Sequence, residues 1–272
     1  MDFGIAGRKA LVAGGGRGIG KAIARVLAGE GCDVVLAART RSQVEGSARE
    51  IAEQTGAKVI PMVMDVLSTE QVNSTVAAAA ERLDGLQILV NSASHPGGAA
   101  DAVGYIETVN EDSLLNDFDI KYVGALRLSR AAVPHLKSAG WGRIINISGG
   151  NARNAGNLSG GARNIAVVHL TKTLSIDLGP HSITVNCIHP GATRTERTPG
   201  MLDAKSRELG ISREEFERRQ FAPGSATGNA VGRMIEAEEV GYLAAFLASD
   251  KAAAITGEVI SAGGGVGTAV FY

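Results

Sequence analysis

The chain has 272 residues, 44% of them hydrophobic and 20% charged, a balance that excludes disorder and suits one large core or two small ones. Its formal net charge of −1, with no basic run, excludes the electrostatic grip that nucleic acid or an anionic membrane surface needs. No segment approaches the roughly 20 apolar residues of a membrane span, and the opening MDFGIAGRKALVAGGG shows no cleavage pattern, so a soluble cytoplasmic protein is expected.

In chain order, a first strand is predicted over 9–13 (KALVA), followed by AGGGRGIG and a helix near 18–30. Gly14, Gly18 and Gly20 form a G-x-x-x-G-x-G turn that opens directly into that helix. Such a turn lets a pyrophosphate approach backbone N–H groups at a helix N-terminus. A second strand, 32–37, ends at Arg39 in LAART, and no acid stands at 37–40 to take a ribose 2'-hydroxyl. Arg39 with Arg17 suits a 2'-phosphate, which favours NADP over NAD. After a helix near 42–55, the third strand, 58–64, ends at Asp65, a carboxylate placed to accept from an adenine amino group.

A helix near 69–84 leads to the fourth strand, 86–91, and to NSAS at 91–94, beside the expected nicotinamide ribose; His95 follows it near the substrate mouth. One long helix is predicted over 117–138, then strand 142–148 and a loop rich in Asn and Arg (Asn151, Arg153, Asn154, Asn157, Arg163) that reads as an anion pocket or as a polar turn. Helix 161–178, strand 183–189, helix 236–248 and strand 258–261 complete the alternation. The segment 195–233 is long and charged, with a helix in SREEFERRQ; it reads as a lid over a small polar or anionic ligand. Strands that alternate with helices imply an α/β, Rossmann-like, doubly wound parallel sheet covered on both faces, in one domain over 1–272. Cys32 and Cys187 read as buried free thiols, and no Cys/His cluster has metal-ligand spacing.

The glycine turn, Asp65-Val66, NSAS, GRIINIS, LTKTLSIDLG, HPGATRT and ITGEVISAGGG together resemble the short-chain dehydrogenase/reductase family over nearly the whole chain. The resemblance implies a nicotinamide cofactor held by Gly14, Gly16, Arg17, Gly18, Ile19, Gly20, Arg39, Asp65, Val66, Asn91, Ala93, Pro190, Gly191, Thr193 and Thr195. It implies alcohol–carbonyl interconversion and a homotetramer or homodimer. The family's proton relay does not carry over. Its tyrosine and lysine align with Gly160 and Asn164, its serine with Gly149 and its asparagine with Lys121; no tyrosine lies between Tyr122 and Tyr242.

Lys121, Ser148 and Asn164 are therefore the candidate catalytic residues. Lysine and asparagine have exchanged places between two helices, so an ammonium could reach the cofactor ribose from the opposite wall. Ser148 could orient a substrate oxygen. Three functions remain open: an NADP(H)-dependent oxidoreductase with a rewired relay, a cofactor-binding protein without turnover, and a lyase or decarboxylase using the same pocket.

Overall fold

Residues along a strand point alternately to the two faces of a sheet, and here both faces are apolar. In β1 (Lys9–Ala13) and β2 (Asp33–Ala38), Ala10, Val12, Val34 and Leu36 enter one core, whereas Leu11, Ala13, Val35 and Ala37 enter another. Such strands need helices on each side. The computed structural model, which describes residues 2–267 apart from 105 and 226, has that arrangement.

The strands continue with β3 (Val59–Val63), β4 (Ile88–Asn91), β5 (Gly142–Ile147), β6 (Ile183–Pro190), a short pair β7 (Thr193–Arg194) and β8 (Ile235–Glu236), and β9 (Val259–Ala262). The helices are α1 (Gly18–Gly29), α2 (Arg41–Thr55), α3 (Thr69–Leu83), α4 (Glu111–Phe118), α5 (Gly124–Ser138), α6 (Leu158–Leu178), α7 (Thr198–Leu209), α8 (Arg213–Gln220) and α9 (Ala237–Ala248). Seven strands form one sheet in the order β3-β2-β1-β4-β5-β6-β9, with every ladder parallel. Helices α1, α2 and α9 bury Ile23, Leu27, Val44, Ile51 and Val240 on one face. Helices α3 and α5 bury Val72, Val76, Leu128 and Leu136 on the other. The strand order reverses between β1 and β4, which opens a crevice at the carboxyl ends of the strands, where ligands of this architecture bind.

Most predicted elements lie within one or two residues of the observed ones. Two differ in kind. The expected helix over 117–138 is interrupted by a π-helical turn, Asp119–Val123, between α4 and α5. A π turn adds a residue to the helical ladder and rotates what it carries, here Lys121. The segment 195–233 contains α7 as well as the expected α8, and Leu202, Phe221 and Met234 with Phe216 form a small apolar core of their own. Among the described residues, no helix is long and apolar enough to cross a membrane.

Candidate active site and cofactor cleft

The turn after β1 is built without room for side chains. Gly14 has φ +83°, and a Cβ there would lie 2.7 Å from the backbone of Ser92 and Ala93. A Cβ on Gly20 would lie 2.3 Å from the Gly14 carbonyl oxygen. The turn is thus pressed onto the end of β4 and the first turn of α1. Gly16 is held from behind by the Ser47 hydroxyl, which donates to its carbonyl at 2.9 Å, and Ile19 packs on the core between sheet and α1. Helix α1 has no cap of its own: the Arg17 side chain makes no capping bond, and its first turn contains no acid. Its open N–H groups attract an anion. Gly18 N–H donates to the Glu196 carboxylate at 2.9 Å, and the Lys21 ammonium lies 3.7 Å from the same carboxylate.

Most of the other residues expected at a cofactor stand at or just beyond the carboxyl ends of β1, β2, β3, β4 and β6. Arg17 lines a groove toward α2 with Ser42 and Arg49. Arg39 follows β2 and turns its guanidinium toward His95, with Nη2 3.5 Å from Nε2 of the ring. Asp65 spends Oδ1 on its own turn, accepting from Leu67 N–H at 3.0 Å, and Val66 is buried against Gly124. At the end of β4, Asn91 donates from Nδ2 to Asn146 at 2.8 Å and to Ser129 at 3.3 Å, while its buried Oδ1 has no partner. On the opposite rim Pro190 ends β6, Gly191 packs on Gly263, and the Thr193 hydroxyl donates to the Gly191 carbonyl at 3.0 Å. Thr195 covers Gly18, its methyl 3.6 Å from where a Cβ of Gly18 would lie. A side-chain-free turn, a helix N-terminus already holding a carboxylate, and an unpartnered amide oxygen at the β4 end fit a dinucleotide.

The π turn carries Lys121 inward. The residue is 7% exposed, and Nζ donates to the Ser148 carbonyl at 2.9 Å. The Ser148 hydroxyl in turn donates to the Asn164 carbonyl at 2.9 Å. A Cβ on Gly149 would lie 2.7 Å from Asn164 Nδ2. The three candidate catalytic residues are thus gathered, through main-chain carbonyls, at the junction of β5, α6 and the π turn. Burial lowers the Lys121 pKa to about 7, and the nearby positive charge of Arg163 pushes in the same direction. Beside it a cavity of ≈ 10 Å³ lies between Asn91, Ile120 and Leu128, on the order of one water. Gly160 is in the first turn of α6. Its N–H is accepted at 2.6 Å by Asn157, the cap of that helix, whose side chain stands beside Gly160.

Two features were not read from the sequence. His189, near the end of β6, is 3% exposed with Nδ1 unpartnered; burial, then the charges of Arg153 and Lys121, lower its pKa to about 4. Asp117 is fully buried in α4. Its Oδ2 accepts from Ala99 N–H and the Ser159 hydroxyl, both at 2.7 Å. Its Oδ1 meets His95 Nδ1 at 2.9 Å and lies 3.6 Å from Arg163. Burial alone would raise the Asp117 pKa, but these donors and the Arg163 charge outweigh it and hold the carboxyl below its ordinary range. Arg163 also donates to the His95 carbonyl at 2.8 Å, and Asn157 to the Gly97 carbonyl at 3.1 Å, so the stretch after β4 is tied to α6. The amides of the 151–157 loop are partly spent this way: Asn157 caps α6, and Asn154 bonds the Gly150 carbonyl. Among the described residues no group of His, Cys, Asp and Glu could hold a metal ion.

The family model described as enoyl-(acyl carrier protein) reductase matches residues 13–267. The chain is 34% identical over 262 residues to NADPH-dependent reductase BacG of Bacillus subtilis (strain 168), covering 95% of this chain and 97% of that protein. It is 33% identical over 257 residues to short-chain reductase protein NovJ of Streptomyces niveus, covering 94% of this chain and 92% of that one. In structure it is similar to L-sorbose reductase from Gluconobacter frateurii, solved with NADPH and L-sorbose, with TM-score 0.91 and 26% identity over 99% of this chain and 100% of that chain. It is also similar to YwfH, an NADPH-dependent reductase involved in bacilysin biosynthesis, with TM-score 0.85 and 31% identity over 97% of this chain and 99% of that one.

Proposed function

The chain belongs to the short-chain dehydrogenase/reductase family, and from that premise we propose that it is an NADPH-dependent oxidoreductase acting on an alcohol or carbonyl, with a proton relay built on Lys121. NADPH supplies the hydride when bound. The glycine turn and the N-terminus of α1 receive the pyrophosphate, and Arg39 and Arg17 read the 2'-phosphate. Asp65 would hold the adenine, and Asn91 and the 190–195 stretch would hold the nicotinamide end. The family's serine, tyrosine, lysine and asparagine are here Gly149, Gly160, Asn164 and Lys121, so an ordinary relay is missing.

The observation that carries the proposal is the buried Lys121 ammonium, held by the Ser148 carbonyl next to Asn164. With a pKa of about 7 it can give up or take a proton near neutrality, which an exposed lysine cannot. Asn164 leaves a buried Oδ1 without a partner, an acceptor that a substrate hydroxyl would satisfy if the site opens to it. The charged segment 195–233 serves as the lid for a small polar or anionic substrate.

A silent, cofactor-binding role is the second reading. It is favoured by one observation: the Asn157 side chain occupies the space beside Gly160, where a substrate oxygen would have met the tyrosine. Titration with NADPH followed by assays over a panel of ketones, aldehydes and hydroxy acids separates the two. The oxidoreductase reading expects turnover by the wild type and a loss of about 10²–10⁴ in kcat for Lys121→Met with NADPH affinity retained. Binding without any turnover sinks it in favour of the silent reading.

A further inference from the structure

A chain of three side chains runs from the buried interior to the mouth of the cofactor crevice. Asp117, an ionised carboxylate, can only accept, so the His95 Nδ1 that meets it at 2.9 Å carries the ring proton. In the neutral ring the lone pair then lies on Nε2, on the half-exposed side, facing Arg39 Nη2 at 3.5 Å, the outer range of a hydrogen bond. A guanidinium is always a donor, so the tautomer set by Asp117 is the one that Arg39 requires. The backbone that carries the imidazole is held as well, because Arg163 donates to the His95 main-chain carbonyl at 2.8 Å. Asp117 itself is anchored by Ala99 N–H and by Ser159 of α6. Among the described residues, His95 is the one hydrogen-bond partner of the Arg39 guanidinium.

We propose that Asp117 and His95 are positioning residues for cofactor selection: Asp117 fixes the imidazole, and the imidazole holds the Arg39 guanidinium at the crevice mouth, ready for the phosphate that distinguishes NADPH from NADH. The inference rests on the cofactor part of the function proposed above and is independent of Lys121 and of turnover. An arginine left free at the end of β2 would lose its rotamer freedom on meeting the phosphate; one already held loses less. The effect is far larger for the ligand that carries a 2'-phosphate, because NADH offers Arg39 a neutral 2'-hydroxyl in place of that charge. It also joins the cofactor's phosphorylated end to α6, since Ser159 and Arg163 belong to the helix that carries Gly160 and Asn164.

The test is equilibrium titration of NADPH and of NADH, by cofactor fluorescence, with the wild type and with His95→Ala, His95→Gln, Arg39→Ala and the double variant His95→Ala/Arg39→Ala. The expected result is a loss of NADPH affinity of roughly five- to tenfold in His95→Ala, the size of one ordinary hydrogen bond, with NADH affinity within about twofold of wild type. His95→Gln, whose amide oxygen can accept the same N–H, recovers most of that loss. In the Arg39→Ala background His95→Ala costs nothing further. Equal loss for both cofactors, no loss for either, or a loss that persists without Arg39 overturns the proposal. Because every readout is binding, a protein that turns nothing over still decides it.

Discussion

In water a lysine keeps its proton throughout the neutral range. Lys121 does not, because folding removes its ammonium from water and places it near Arg163, which lowers its pKa from 10.5 to about 7. Below about pH 7 folded and unfolded chains both hold the proton, and the folded state bears the full cost of the buried charge. Between about 7 and 10.5 the folded state has released the proton while the unfolded chain still binds it, so stability rises with pH over that window. The expected outcome is that wild type gains on Lys121→Met by up to about 1.4 kcal/mol per pH unit above neutrality, and by nothing below it. Urea unfolding of both proteins at several pH values between 6 and 9.5 measures it; parallel profiles would mean that the amine is solvated. Lys121 could be singled out from the sequence because it breaks a motif. Asp117 and His189 could not. An acid in a helix ordinarily faces solvent, and only the approach of Ala99, His95, Ser159 and Arg163 from distant parts of the chain makes Asp117 a buried carboxylate.

At the scale of elements, the legible parts are those whose cause is local. The period-2 strands, the glycine turn and the helices between them follow from neighbouring residues. The π turn at Asp119–Val123 has no Gly or Pro within it to announce it, and it decides where Lys121 goes. The meeting of the 195–233 segment with α1 was likewise invisible, since Gly18 and Glu196 are far apart in sequence. That contact has a consequence for binding. The Glu196 carboxylate lies on the positive end of the α1 dipole, the place a pyrophosphate needs, and the Lys21 ammonium stands close to it. Two anions at one helix terminus compete. Glu196→Gln should therefore tighten NADPH roughly two- to fivefold, the range of a single charge at a helix end. It should also hasten tryptic cleavage at Arg197 in the cofactor-free protein, by loosening the segment. Weaker NADPH binding in calorimetry would instead make Glu196 a partner of the bound cofactor.

At the scale of the whole molecule, α6 has two different faces. Its inner face presents Asn164 to Ser148 and Arg163 to Asp117. Its outer face carries Ile165, His169, Lys172 and Ile176, spaced by four, three and four residues and so in one line. Ile165 is 50% and Ile176 67% exposed, and Leu115 of α4 is 62% exposed. A water-facing stripe ended by two isoleucines, on a helix that otherwise serves the core, suits a subunit contact. A two-fold axis across α6 would bury each isoleucine twice, and each is worth about 1.5–3 kcal/mol when fully covered. The protein is therefore expected to run as a dimer or tetramer in light scattering at micromolar concentration. Ile176→Glu, which places a carboxylate in each copy of the contact, should take a dimer to single chains and a tetramer to dimers. The same variant tests whether assembly supports the site. Ser159, Gly160, Arg163 and Asn164 all stand on the first turns of α6, so a helix that loses its outer support should hold the stretch after β4 less firmly. NADPH affinity should then fall with the loss of assembly. A wild type already monomeric, or a monomeric variant with unchanged NADPH affinity, would show that the inner face of α6 needs no neighbour.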